Sequence, residues 1–181
     1  MLRKARVIEA CARVLCALLV ISGAACVSSH RREATSALSL AWEEFDQKQN
    51  SGWRALFAKG DCGGAADLIE AYLANHSELT PRQRAVSEFH VGQLRAREGK
   101  NKHALTHFRR AFVSKQTPPG LGDDWNIIVA AHIAFLSGDR AKLTALKEEI
   151  ASLPASRVEF PDCPADLLEH FGQQLGSWPA K

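Results

Sequence analysis

The sequence predicts an all-α chain of antiparallel helix–turn–helix units, arranged as a short α-solenoid or a helical bundle. Three observations predict it. Gly60, Gly99 and Gly138 recur at a spacing of 39 residues. Each glycine follows one stretch with apolar residues at helical period and precedes another. No stretch alternates polar and apolar residues with period two, the mark of a half-buried strand. The 181 residues are 46% hydrophobic and 24% charged, an ordinary globular mix and enough for one domain.

Residues 1–25 have the layout of a cleavable signal peptide. Arg3, Lys4 and Arg6 form a positive start, residues 14–21 an apolar run, and Ser22, Gly23, Ala24 and Ala25 supply small side chains for a peptidase. The apolar run falls well short of the ~20 residues a spanning helix needs. Glu9 and Arg13 bar its extension. Ser22 to Cys26 is similar to the lipobox of bacterial lipoproteins. That resemblance implies a lipid on the Cys26 sulfur, cleavage before Cys26 and acylation, by palmitate or a similar chain, of the new amino group. The membrane is then the first partner, and the protein faces the periplasm from the cell envelope. Val27, where Asp would retain the protein at the inner membrane, points to the outer membrane. Ordinary signal peptidase cutting after Ala25 would release a soluble secreted chain instead. Residues 26–33 read as a lipidated end and short tether, spanning at most ~3.3–3.6 Å per residue.

The formal charge of +3 belongs to the leader, since beyond residue 25 nineteen bases face nineteen acids. Nucleic-acid binding draws on surplus cations that neutralise phosphates, so this class is set aside.

The predicted helical body runs over 34–175, followed by a tail at 176–181 that carries Trp178. Leu38, Ala41, Trp42 and Phe45 share a helical face until Asn50, Ser51 and Gly52 break it. After the first two spaced glycines, Ala65 aligns with Ala104, Ala66 with Leu105, Ile69 with Phe108 and Leu73 with Phe112, all without a gap. A one-residue deletion then aligns Leu143, Leu146 and Ile150 with Leu105, Phe108 and Phe112. Thr80, Pro81 and Gln83 spell a capping box with proline at the first helical position. Asp123 or Asp124 caps a helix over 125–136, after a loop rich in glycine and proline at 118–122. Asp139 caps the next helix, and a last one runs from Pro164 to about Leu175.

Gly92, Ala104, Phe108 and Ala111 fit the small-and-large pattern of tetratricopeptide repeats, which the stretch 53–152 resembles. The resemblance implies stacked helix pairs and a face for protein partners, with a longer period than the family's usual 34 residues. A plain antiparallel bundle is the other arrangement this pattern allows.

Cys62 and Cys163 are the even pair left once leader and anchor are set aside, and in an oxidising compartment they are candidates for a disulfide. The bridge would close a loop of roughly 100 residues, worth ~4–5 kcal/mol in the chain-entropy model. The alternative is two separate small apolar residues, since the ends of an extended array stand apart. His103 and His107 lie one helical turn apart, but Ala104 stands where a zinc protease needs glutamate, so a solvated helix face is expected. Nucleophile elbows and phosphate-cradling loops are missing, and no cofactor or metal is called for.

Charge is uneven. Residues 82–115 hold nine bases against two acids, whereas 33–81 and 123–170 are each acidic by five. Either the basic segment receives an acidic partner, or it bridges to its acidic neighbours. Arg84, Arg95, Arg97 and Trp125 are the candidate partner-binding residues. Trp125 also reads as a core residue that holds the start of its helix. The expectation is a membrane-anchored, non-enzymatic adaptor for an unknown protein or peptide. Small inhibitors or immunity-type proteins share its layout. A metal-dependent hydrolase would have to draw on His103, His107 or His132.

Overall fold

The structure, a computed structural model, describes residues 36–114, 124–154 and 163–175. The expectations for the leader, Cys26, the tether, the 118–122 loop, Asp123 and Trp178 lie outside the described residues. The chain divides into Met1–Leu40 and Ala41–Lys181. In the first part, residues 36–40 form a turn in which the Leu40 N–H donates to the Ala37 carbonyl at 3.3 Å.

The second part opens with a π-helical turn, Glu43–Gln47. Seven α-helices follow: α1 (Gly52–Ala58), α2 (Cys62–Asn75), α3 (Pro81–Arg97), α4 (Asn101–Arg110), α5 (Trp125–Leu136), α6 (Arg140–Ala151) and α7 (Cys163–Glu169). No strand occurs among the described residues. The helix expected through Leu38 and Phe45 is realised only as the π-turn. Tertiary contacts decide this: the Asp46 carbonyl accepts from Arg54 Nε, and its buried carboxylate accepts from Trp53 Nε1 at 3.0 Å. The last helix also ends early, at Glu169, because His170, Phe171 and Gly172 tighten into successive turns.

Three helix hairpins, α1/α2, α3/α4 and α5/α6, share one turn. In each, the helix ends on a glycine with left-handed backbone, with φ of +81° at Gly60, +75° at Gly99 and +71° at Gly138. The glycine N–H donates back three residues, to Phe57, Ala96 and Phe135. The next N–H donates back five, to Leu56, Arg95 and Ala134. This is the Schellman pattern, which satisfies the last carbonyls of a helix and favours a residue without Cβ. The following helix starts at once. Asp61 caps α2 through the Gly64 N–H, and Asp139 caps α6 through the Lys142 N–H. The Thr80–Gln83 capping box starts α3 as expected. Asp124 occupies the N-cap position of α5 without a side-chain cap bond.

Counted from these glycines, the fifth residue is fully buried in every hairpin: Ala65, Ala104 and Leu143. The twelfth is buried as well: Tyr72, Ala111 and Ile150. The third hairpin shares these two positions but not the core position between them: Leu146 is buried eight residues after Gly138, where Ile69 and Phe108 are buried nine after Gly60 and Gly99, as the expected one-residue deletion requires. The same register puts Phe112 outward, 44% exposed, and leaves Leu73 only half-buried, so neither belongs to the core face assigned from sequence.

Neighbouring helices pack in chain order, α2 on α3, α4 on α5, and α7 against both α5 and α6. In the core α3 and α4 approach each other closely. A methyl group on Gly92 would lie 2.7 Å from Phe108 Cε1, so the α3 backbone rests directly on the fully buried Phe108 ring.

Two substitutions separate turn from packing in urea unfolding. Gly138 has open space around it, so Gly138→Ala should cost only its left-handed conformation, about 1–2 kcal/mol. Gly92→Ala should cost about 1–3 kcal/mol through overpacking against Phe108. A neutral Gly92→Ala would disprove the close approach.

Candidate functional site

Arg82, Val86, Phe89, His90, Gln93 and Arg97 recur every three or four residues along α3, which places them on one face. That face forms one wall of a groove of about 700 Å³. Trp125, Ile128 and His132 of α5 form the opposite wall. Cys163, Asp166 and Leu167 of α7 close one side, with Leu175 beyond them. Trp42, Gln47 and Arg54 line the mouth.

Aromatic packing makes the floor rigid. The Phe89 ring centroid lies 5.1 Å from Trp125, 4.8 Å from His132 and 5.4 Å from Phe108. Trp125 is buried and donates its Nε1 hydrogen to the Ala111 carbonyl at 2.9 Å, which ties the start of α5 to the end of α4. It therefore serves the core and the groove together.

His132 is the polar group of the floor. It is 5% exposed, and Nδ1 lies 2.9 Å from the Ile128 carbonyl, which only an N–H can satisfy. Nε2 is thereby left as an acceptor. It has no hydrogen-bond partner among the described residues and is not sealed in, so it opens on the groove. Burial pushes the His132 pKa down to about 4; the hydrogen bond to Ile128 works the other way, and the charge of Arg97 adds to the depression. The ring is neutral at physiological pH.

The arginines divide by role. Arg97 lines the groove, exposed, with its guanidinium 5.2 Å above the Phe57 ring. Arg82 lines it too, also exposed, and neither faces a carboxylate within 4 Å among the described residues. Arg95 and Arg84 are corrections to the sequence reading. Arg95 is buried and turned toward α2, where it pairs with Asp67, with Glu70 at 2.9 Å and with Glu98 at 2.9 Å. Burial alone would lower its pKa, but these carboxylates outweigh that and raise it further. Arg84 is spent on the backbone, donating to the Leu73 and His76 carbonyls that close the α2–α3 connection. Of the two readings of the basic segment, bridging to acidic neighbours thus holds for Arg95.

The two cysteines are free thiols, so the bridge between them is not formed. Cys62 opens α2, which packs mainly on α1 and α3, whereas Cys163 opens α7, which packs on α5 and α6. Burial pushes the Cys163 thiol up to about 12, which suits a wall residue and not a nucleophile. His103 is exposed, but His107 is not the solvated residue expected. Its Nδ1 lies 2.6 Å from Glu88 and its Nε2 3.3 Å from Glu70. Among the described residues no group of three potential metal ligands occurs.

Arg54, Arg82, His90 and Gln93 were missed from the sequence, although the period of α3 from Arg82 to Arg97 held the signal for three of them. Asp46, fully buried beside His90, carried no signal. Burial raises its pKa, but hydrogen bonds and charge from His90 and Trp53 outweigh this and hold it below the usual carboxylate range.

Among the described residues no helix is long and apolar enough to cross a membrane. No protein-family model, curated protein or solved structure matches the chain.

His132 gives the fold an acid response of known sign. Its folded pKa lies below the ordinary value of about 6.5, so the unfolded chain takes up the proton first. Stability should fall as pH drops from about 6.5 to about 4, by about 3 kcal/mol in all, after which this contribution levels off. Urea titrations of His132→Leu should lose that slope. An unchanged slope would refute a buried neutral imidazole.

Proposed function

We propose that this chain is a lipid-anchored, tetratricopeptide-like adaptor of the bacterial cell envelope, which holds an acidic segment of a partner protein in the α3–α5 groove. The single observation that carries the reading is the groove itself: an aromatic floor with two exposed arginines on one helix face, neither paired within 4 Å with a carboxylate of the described residues, the groove's own Asp166 included. Such cations, left beside apolar surface, favour an anionic ligand that desolvates against the floor.

Three turns of one geometry at 39-residue intervals support the repeat reading. In repeat proteins each hairpin covers its neighbour and the first helices line a common face, which is where α3 and α5 stand. The anchor is supported by the leader pattern and by Cys26 after four small residues. A lipid there would hold the body at a bilayer without a spanning helix, and none occurs among the described residues. One acyl chain holds only marginally and several hold firmly. The outer membrane, facing the periplasm, is the expected location.

Two measurements test this. Cys26→Ser should move the protein from membrane to soluble fractions and remove the lipid mass. Unchanged fractionation would refute the anchor. A photo-crosslinking residue at Gln93 should yield a discrete adduct in cells that Arg82→Glu with Arg97→Glu abolishes. An adduct indifferent to both charges, or none, would refute the groove.

A further inference from the structure

Resting on that reading, we infer that the groove takes an extended peptide with two acidic side chains about six residues apart, one for Arg82 and one for Arg97, and apolar side chains between them. The spacing follows from the helix that carries both cations. Arg82 and Arg97 stand fifteen residues apart on one α-helix, about 22 Å at ~1.5 Å per residue. An extended chain advances ~3.3 Å per residue with side chains on alternate faces, so two acids that share a face stand about six residues and 20 Å apart, and the long arginine side chains cover the remainder.

The surface between the two ends is built for apolar side chains. Val86 and Phe89 of α3 face Ile128 and Trp125 of α5, and the cations sit beyond this stretch at either end. The buried His132 adds one specific contact. Its Nε2 lone pair opens on the groove and accepts a hydrogen bond, so it suits the backbone N–H of an extended segment and rejects a third acid at the centre. A single-headed amphiphile, such as a fatty acid, would satisfy one arginine and leave the other beside its apolar tail. Arg54, the third cation of the lining, is already held by the Asp46 carbonyl, so the two separated cations of α3 favour the peptide.

The test uses the full chain in lipid nanodiscs and three fluorescent, end-blocked peptides. Each carries two aspartates around an apolar centre, separated by two, six or ten residues. The six-residue separation should bind at least tenfold more tightly than either of the others. Arg82→Gln and Arg97→Gln should each weaken it several-fold and remove the preference for spacing. Arg82→Glu should shift the preference to a peptide with lysine in place of one aspartate, a gain that a misfolded variant cannot show. Equal affinity for all three separations would overturn the inference, as would binding of octanoate with no peptide binding. If the Gln93 adduct still forms in a charge-dependent way, the adaptor reading stands and only the spacing falls. If that adduct is also missing, both fall.

Discussion

The body of this protein depends on the contact between the backbone of Gly92 and the ring of Phe108. A helix that meets its neighbour through a glycine comes closer than side chains normally allow. Phe108 fills that approach from α4 and continues beneath the groove, with its centroid 5.4 Å from Phe89 and 5.1 Å from His132. Interiors pack as densely as organic crystals, so a shift at this point moves the whole layer. The groove wall on α3, the start of α5 and the orientation of His132 all rest on it.

Polar groups are arranged around that layer with a clear division. On the side away from the groove, Arg95 pairs with Glu70 and Glu98, and the His107 ring lies between Glu70 and Glu88, joining α2, α3 and α4. The network satisfies charges that would be costly to bury singly. On the groove side the same helix carries Arg82 and Arg97 in the open, over a floor whose imidazole burial keeps neutral. A neutral floor between two cations leaves the centre to apolar groups and the ends to anions. One helix thus stabilises the body with one face and offers a charged, apolar-centred surface with the other.

Much of the fold was legible in the sequence because it is local. The glycine turns at Gly60, Gly99 and Gly138, the Thr80–Gln83 capping box and the Asp139 cap depend on neighbours a few residues away, and each has its structural counterpart. The misreadings lie where distant contacts decide. The π-turn at Glu43–Gln47 follows from bonds between Asp46 and the Trp53–Arg54 pair of the next helix. Phe112 points outward because the register runs through Ala111, a small residue that pattern counting undervalues. At the site, composition revealed a basic segment but not which arginine faces which way. Arg95 and Arg97 are two residues apart, hence on different helix faces, and burial separates their roles.

The most direct test of the account is a double-mutant cycle at the contact beneath the groove. Gly92→Ala and Phe108→Leu would be unfolded in urea singly and together. Leucine removes the ring edge that an alanine methyl meets at 2.7 Å, so the two substitutions should compensate. The double variant is expected to be more stable than the sum of the singles by about 1 kcal/mol or more. Strict additivity would mean that Gly92 and Phe108 do not touch, and would contradict the packing on which the groove depends.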